Sequence, residues 1–346
     1  MKLRIRRPDD WHLHLRDGAL LQAVLPHTAA RFARAIVMPN LAPPVTTTAA
    51  ALAYRERILA ALPAGMNFTP LMTLYLTDNT SAEEIRRARA SGCIAGVKLY
   101  PAGATTHSDA GVTDLRRCDA ALAAIDETGL VLQVHGEVTE PAVDVFDRER
   151  IFIERVLAPA AERHPGMKIV LEHVTTADGV DFVRRGREGI AATITPQHML
   201  LNRNALFAGG LRPHHYCLPV LKAERHREAV CAAATSGEAR FFLGTDSAPH
   251  TRRSKESACG CAGIYSAPVG IEIYAEAFEA AGQLERLEDF ASVHGARFYG
   301  LPLNEDHIVL ERREWRPPAE YVAGDDRLVP FRAGETVAWA LAEDDA

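Results

Sequence analysis

The sequence predicts an α/β fold of one particular kind, a (β/α)8 TIM barrel with a small C-terminal extension. Two observations carry this. Eight short apolar runs rich in β-branched residues alternate with segments of helical composition. The runs are apolar almost continuously, as strands are when a parallel sheet is buried on both faces. The second observation is where the runs end: in His12 and His14, then Asn40, Lys98, His135, His173 and Asp246. In barrels of this kind the active site lies at the C-terminal rim and is fed by several different strands.

The first run, residues 3–5, leads into Asp9-Asp10-Trp11-His12-Leu13-His14-Leu15-Arg16-Asp17-Gly18. If this stretch is extended, His12, His14 and Arg16 point one way and Trp11, Leu13 and Leu15 the other. Two imidazoles beside a guanidinium make a metal corner with an anion-binding arm; taken alone, they read equally well as a polar strand with two incidental histidines. The later runs cover residues 35–40, 68–76, 94–100, 130–135, 168–173, 190–195 and 240–246. Helical composition occupies residues 47–62, 81–91, 115–128, 149–164 and 222–235, with Gly92, Gly129 and Gly189 placed where a helix stops before the next strand. Residues 268–282 and 287–300 read as two further helices. The expected division is a barrel over 1–300 and, over 301–346, an extension packed on it that ends in a solvated acidic tail, Glu343-Asp344-Asp345. There is no repeat at solenoid period and no low-complexity segment.

Composition narrows the function. Apolar residues make up 47% and charged residues 24%, as in globular proteins with a sizeable core. A net charge of −6 argues against nucleic acid as the main partner, because phosphate binding leaves a basic footprint. With neither a signal-like start nor an apolar run long enough to span a bilayer, the expectation is a cytoplasmic protein without a membrane partner. Six cysteines in 346 residues make no disulfide framework, and Cys259-Gly260-Cys261 lacks the spacing of a structural zinc site. The basic residues are nearly all arginine; the lysines are Lys2, Lys98, Lys168, Lys222 and Lys255. Such usage marks lysine positions as places where an amine is specifically needed.

One strand-end histidine is usually a satisfied hydrogen-bonding residue, and Lys98 alone reads as an ion-pair lysine. Convergence of ligand-type side chains on several strand ends is the stronger signal. The succession His12-x-His14-x-Arg16, Pro39-Asn40, Val97-Lys98-Leu99-Tyr100, His135-Gly136-Glu137, Glu172-His173 and Gly244-Thr245-Asp246-Ser247-Ala248-Pro249-His250 resembles class II dihydroorotases of the amidohydrolase superfamily. Tyr216–Lys222 and Lys255–Gly263 extend the resemblance over nearly the whole chain, and no functional residue is missing.

The resemblance implies a zinc-dependent cyclic amidohydrolase that interconverts N-carbamoyl-L-aspartate and L-dihydroorotate in pyrimidine biosynthesis. It implies two zinc ions per subunit. His12, His14 and Asp246 would hold one and His135 and His173 the other, with Lys98 bridging them as a carboxylated lysine (N6-carboxylysine). Imidazole and carboxylate suit zinc, whereas an unmodified ammonium has no acceptor with which to ligate. Asp246 would be the catalytic proton shuttle. Arg16, Asn40 and His250 would bind the substrate carboxylate, backbone groups of Leu218 and Ala262 the ring amide, and Thr105 and Thr106 would contact substrate from a loop that folds over it. A homodimer is implied by the family alone. A hydantoinase- or dihydropyrimidinase-like enzyme is a second reading, disfavoured because a neutral ring has no carboxylate to meet Arg16. A catalytically silent scaffold is a third, disfavoured because no ligand is lost.

Overall fold

Eight parallel strands pair in sequence order in the computed structural model, which describes residues 1–342. The expected acidic tail, Glu343-Asp344-Asp345, lies outside the described residues. A separate strand, β1 (Lys2–Arg6), precedes the eight, which are β2 (Asp9–Leu13), β3 (Arg34–Val37), β4 (Thr69–Tyr75), β5 (Ile94–Leu99), β6 (Val131–Val134), β7 (Lys168–Leu171), β8 (Ile190–Ile194) and β9 (Phe241–Leu243). The sheet curls back on itself where the His14 amide donates to the Ser247 carbonyl at 2.9 Å and the Asp246 amide donates to the His12 carbonyl at 2.8 Å. This is the barrel that the alternating pattern predicts. Helices fill the expected segments, two more of nine residues or longer form at Gly18–Arg31 and Ala177–Arg185, and short ones form at Pro196–Leu200 and Arg252–Lys255. The helix Gly18–Arg31 carries Gly18 at its start and Pro26 inside, residues that mask a helix in sequence.

Two local expectations need correction. Residues 3–5 are not the start of the first barrel strand. They belong to β1, which pairs antiparallel with β10 (His307–Glu311) in the register Lys2↔Glu311 to Arg6↔His307. The cause is polarity: Lys2 and Arg4 are exposed while Ile5 is buried, the alternation of a sheet with one wet face, whereas all of β2 is buried. Nor does Trp11 share a face with Leu13 and Leu15. The register of β2 shifts between Asp10 and Leu13, a bulge that re-aims side chains. Trp11 therefore packs with Ile36, Val170 and Phe242 inside the barrel, while Leu13 and Leu15 join the cluster between strands and helices.

The barrel floor is closed by the helix His294–Tyr299, with Tyr299 stacked on Trp11 at 4.7 Å between ring centroids. Gly295 permits this approach, since a Cβ there would collide with the Trp11 indole. The floor is thus dry and aromatic, and polar side chains gather at the opposite rim. The six cysteines are free thiols. No helix among the described residues is long and apolar enough to cross a membrane.

Candidate active site

Six of the eight strand ends, those of β2, β3, β5, β6, β7 and β9, deliver side chains to one cluster at the rim. His12, His173 and Asp246 offer ligand atoms that lie within 4.8 Å of one another, all buried. His14 joins through Nε2, 3.1 Å from Asp246 Oδ1, and His12 Nε2 lies 3.3 Å from the same oxygen. The His135 ring centroid is 4.8 Å from that of His173. Lys98, on β5, is fully buried with its Nζ 5.0 Å from the centre of the Tyr100 ring.

Three of the imidazoles are oriented from behind. Glu172 Oε2 accepts from His12 Nδ1 at 2.8 Å, Asn40 Oδ1 from His14 Nδ1 at 2.7 Å, and Glu137 Oε2 from His135 Nε2 at 2.7 Å. An oxygen on one ring nitrogen fixes the proton there and leaves a lone pair on the other, as a metal-ligating histidine requires. Burial, and then the Arg16 charge, pull the His14 pKa down to about 3. Burial and the Lys98 charge hold His173 well below its usual value. Both rings are therefore neutral at pH 7, the state that binds metal. Burial tends to raise the Asp246 pKa, but His12, His14 and Lys98 together hold it below the usual carboxylate range.

Among the buried atoms of the site without a hydrogen-bond partner are Lys98 Nζ and His173 Nδ1. Leaving buried polar atoms unpaired is costly, and a cation ligated by this nitrogen and carboxylate set would answer the histidine. The donor set fits zinc. The Lys98 amine, lowered to about 8 by burial against the opposing pull of Glu172 and Asp246, is near the neutral form that can be modified.

Backbone strain accompanies these positions. Arg16, His173 and Asp246 adopt positive φ values of 60°, 41° and 44°. Non-glycine residues rarely adopt this region, at a cost of about 1–3 kcal/mol each, and such strain concentrates at functional sites. Here it turns the chain sharply at the strand ends, so that consecutive rim residues face inward.

The cluster opens into a narrow cleft. Of the residues expected to bind substrate, Arg16, Asn40, Thr105, Thr106, Leu218 and Ala262 line it. His250 stands behind Arg16: Arg16 Nη2 donates to His250 Nε2 at 3.0 Å, and His250 also bonds the Ala262 backbone. Neither acidic neighbour takes Arg16, because Asp9 pairs with Arg34 and Asp17 with Arg57. The loop bearing Thr105 and Thr106 folds over the cleft, held by a Thr105–Ser108 turn and by Asn40 Nδ2, which donates to the Thr106 carbonyl at 3.4 Å. Sequence reasoning gave no role to Glu172, Glu137 or Tyr100. The two glutamates were signalled by their place beside His173 and two residues after His135, and Tyr100, which lines the cleft, by its place two residues after Lys98.

Comparison with known proteins agrees with this geometry. The amidohydrolase family matches residues 10–304. A dihydroorotase of Nitrosomonas europaea is 64% identical over 99% of this chain and 98% of its own length. That of Cupriavidus taiwanensis is 66% identical over 98% of both. A crystal structure of dihydroorotase from Campylobacter jejuni superposes with a TM-score of 0.91 at 35% identity, covering 99% of this chain and 98% of that one. Matched along its whole length at this identity, and bearing a rim of buried imidazole and carboxylate, the chain belongs to the dihydroorotases of the amidohydrolase family.

Proposed function

We propose that the cleft interconverts L-dihydroorotate and N-carbamoyl-L-aspartate through the residue roles that follow. The observation that supports this most is Arg16, a buried guanidinium without a carboxylate partner among the described residues, opening into the same cleft as the His–Asp cluster. Both substrates carry a carboxylate remote from the reacting amide, which a planar guanidinium fork matches. A neutral hydantoin or dihydrouracil ring would leave that charge unanswered, a penalty of the kind that gives polar sites their discrimination.

His12, His14 and Asp246 are assigned to one zinc ion and His135 and His173 to a second. Lys98, once its Nζ had taken up carbon dioxide as a carbamate, would offer carboxylate-type oxygens to both. Metal held by these residues would supply Lewis acidity and lower the pKa of water towards neutrality. Asp246 moves the proton. In hydrolysis its carboxylate takes a proton from the attacking water and returns it to the departing ring nitrogen; in ring closure it takes the ureido proton and passes it to the departing carboxylate oxygen, which leaves as water with a second proton drawn from solvent. Arg16 and Asn40, with His250 behind, hold the substrate carboxylate. Backbone groups of Leu218 and Ala262 meet the amide edge, and Thr105 and Thr106 cover the substrate and exclude water.

A homodimer, a cytoplasmic location and the division into a barrel over 1–300 and an extension over 301–346 belong to the same reading. The deciding experiment is an assay of the purified protein with L-dihydroorotate and N-carbamoyl-L-aspartate beside dihydrouracil and hydantoin, before and after chelation. Turnover of the acidic pair alone, lost on chelation and restored by zinc, is the expected result. Turnover of the neutral rings instead would overturn the assignment of Arg16, and no turnover by zinc-loaded protein would favour a silent barrel.

A further inference from the structure

Lys255 lies outside the catalytic cluster, yet its ammonium is wholly committed. It ends the short helix Arg252–Lys255, capped by Thr251, and is 2% exposed. Its Nζ donates to three backbone carbonyls: Tyr216 at 2.8 Å, Cys261 at 2.7 Å and Gly263 at 2.8 Å. An ammonium has three hydrogens and no acceptor, so none is left over. Tyr216 stands two residues before Leu218, and Cys261 and Gly263 flank Ala262. The same carbonyl of Tyr216 accepts from the Gly263 amide at 3.0 Å, which ties the two loops directly. Gly263 has φ +150°, and a Cβ there would lie 2.5 Å from the Ala248 carbonyl oxygen, so the second loop has little freedom to rearrange.

No carboxylate pairs with Lys255 among the described residues, so its charge is balanced by carbonyl dipoles and by the Tyr216 ring, whose centre lies 5.7 Å from Nζ. Burial brings its pKa down to about 8. A buried cation held this way is costly to place and fixes geometry in return, because its three acceptors cannot be satisfied in another arrangement.

We propose that Lys255 is a positioning residue that sets substrate affinity by fixing the spacing between the Leu218 and Ala262 backbone groups across the cleft. This rests on the assignment of those backbone groups to the substrate amide edge. Removing the ammonium leaves the Cys261 and Gly263 carbonyls without a donor and the Tyr216 carbonyl with the Gly263 amide alone, and the loops part to solvate them. The metal cluster stands on other strand ends and is undisturbed.

The test compares wild type, Lys255→Met and Lys255→Arg for KM and kcat with L-dihydroorotate, alongside zinc content. Lys255→Met is expected to raise KM about tenfold or more, with kcat within about threefold and zinc retained. Lys255→Arg keeps the charge, but its planar fork does not match three converging carbonyls, so a smaller rise in KM is expected. If Lys255→Met does not fold, the arginine variant decides. Unchanged KM in a folded variant beside an active wild type overturns the proposal, as does a fall in kcat alone or a loss of zinc. A wild type that does not turn over dihydroorotate would instead sink the functional reading, and this proposal with it.

Discussion

Arg16 Nη2 donates to His250 Nε2 at 3.0 Å, so the imidazole nearest the guanidinium serves as an acceptor. Burial and the Arg16 charge hold His250 far below its usual pKa, and the pair therefore carries one positive charge, on Arg16. A substrate carboxylate arriving in the cleft meets that charge without competition from a second cation. Arg16→Met should remove about 1.5–3 kcal/mol of charged hydrogen bonding. This corresponds to a rise of roughly 10- to 150-fold in KM for dihydroorotate. Steady-state kinetics check it, and an unchanged KM would take the carboxylate away from Arg16.

Asp246 faces both His12 and His14 through one oxygen, Oδ1, at 3.3 and 3.1 Å. In the proposed mechanism the other oxygen handles the travelling proton. Asp246→Asn keeps the size and one oxygen but is no base, so kcat should fall by roughly 10²–10⁴-fold, the usual worth of a positioned acid–base group. Metal analysis of the same variant should find zinc still bound by the histidines. Turnover that survives the change would exclude Asp246 as the shuttle.

How much of this site was legible in the sequence follows from topology. A parallel barrel brings every strand end to one rim, so His12, His14, Lys98, His135, His173 and Asp246 could be grouped without knowing any distance. What depends on local backbone geometry could not be read. The bulge at Asp10–Leu13 sends Trp11 into the barrel against a strict alternation. The pairing of β1 with β10 joins segments some 300 residues apart, and no period announces it. Asn40 was expected at the substrate; its oxygen also orients His14, a second task that only the 2.7 Å contact reveals. The scarcity of lysine was a sounder signal than its simplicity suggests, since Lys98 sits at the cluster centre and Lys255 grips three carbonyls.

Lys98 offers a direct chemical test. Its Nζ is buried among Glu172, Asp246 and His173 with no hydrogen-bond partner, and its pKa is lowered to about 8. A carbamate on Nζ turns the cation into an anion with two acceptor oxygens. Protein loaded with zinc in isotopically labelled bicarbonate should show one carbamate carbon resonance per subunit. Lys98→Arg keeps a cation but forms no carbamate, so the resonance should vanish. Zinc content should then drop and activity fall by roughly 10²-fold or more. Active, zinc-loaded wild type without that resonance would rule the bridge out.

His27 supplies a pH dependence remote from the metal cluster. Its Nδ1 is hydrogen-bonded to the Tyr265 hydroxyl, and its ring centroid lies 4.4 Å from that of Tyr321. Burial, reinforced by the Arg31 charge, lowers its pKa from 6.5 to about 4. The unfolded chain takes up this proton near pH 6.5, while the folded chain takes it up only near pH 4. Between those values the unfolded state binds more protons, so stability falls as the pH falls and levels off below about 4. His27→Phe keeps the ring contact with Tyr321 and removes the titration. Its urea midpoint should therefore decline less steeply than that of wild type between these pH values, while zinc release, common to both proteins, cancels in the comparison. Identical slopes would show that His27 takes up its proton equally in the folded and unfolded chains, and the acid sensitivity would then belong to other groups.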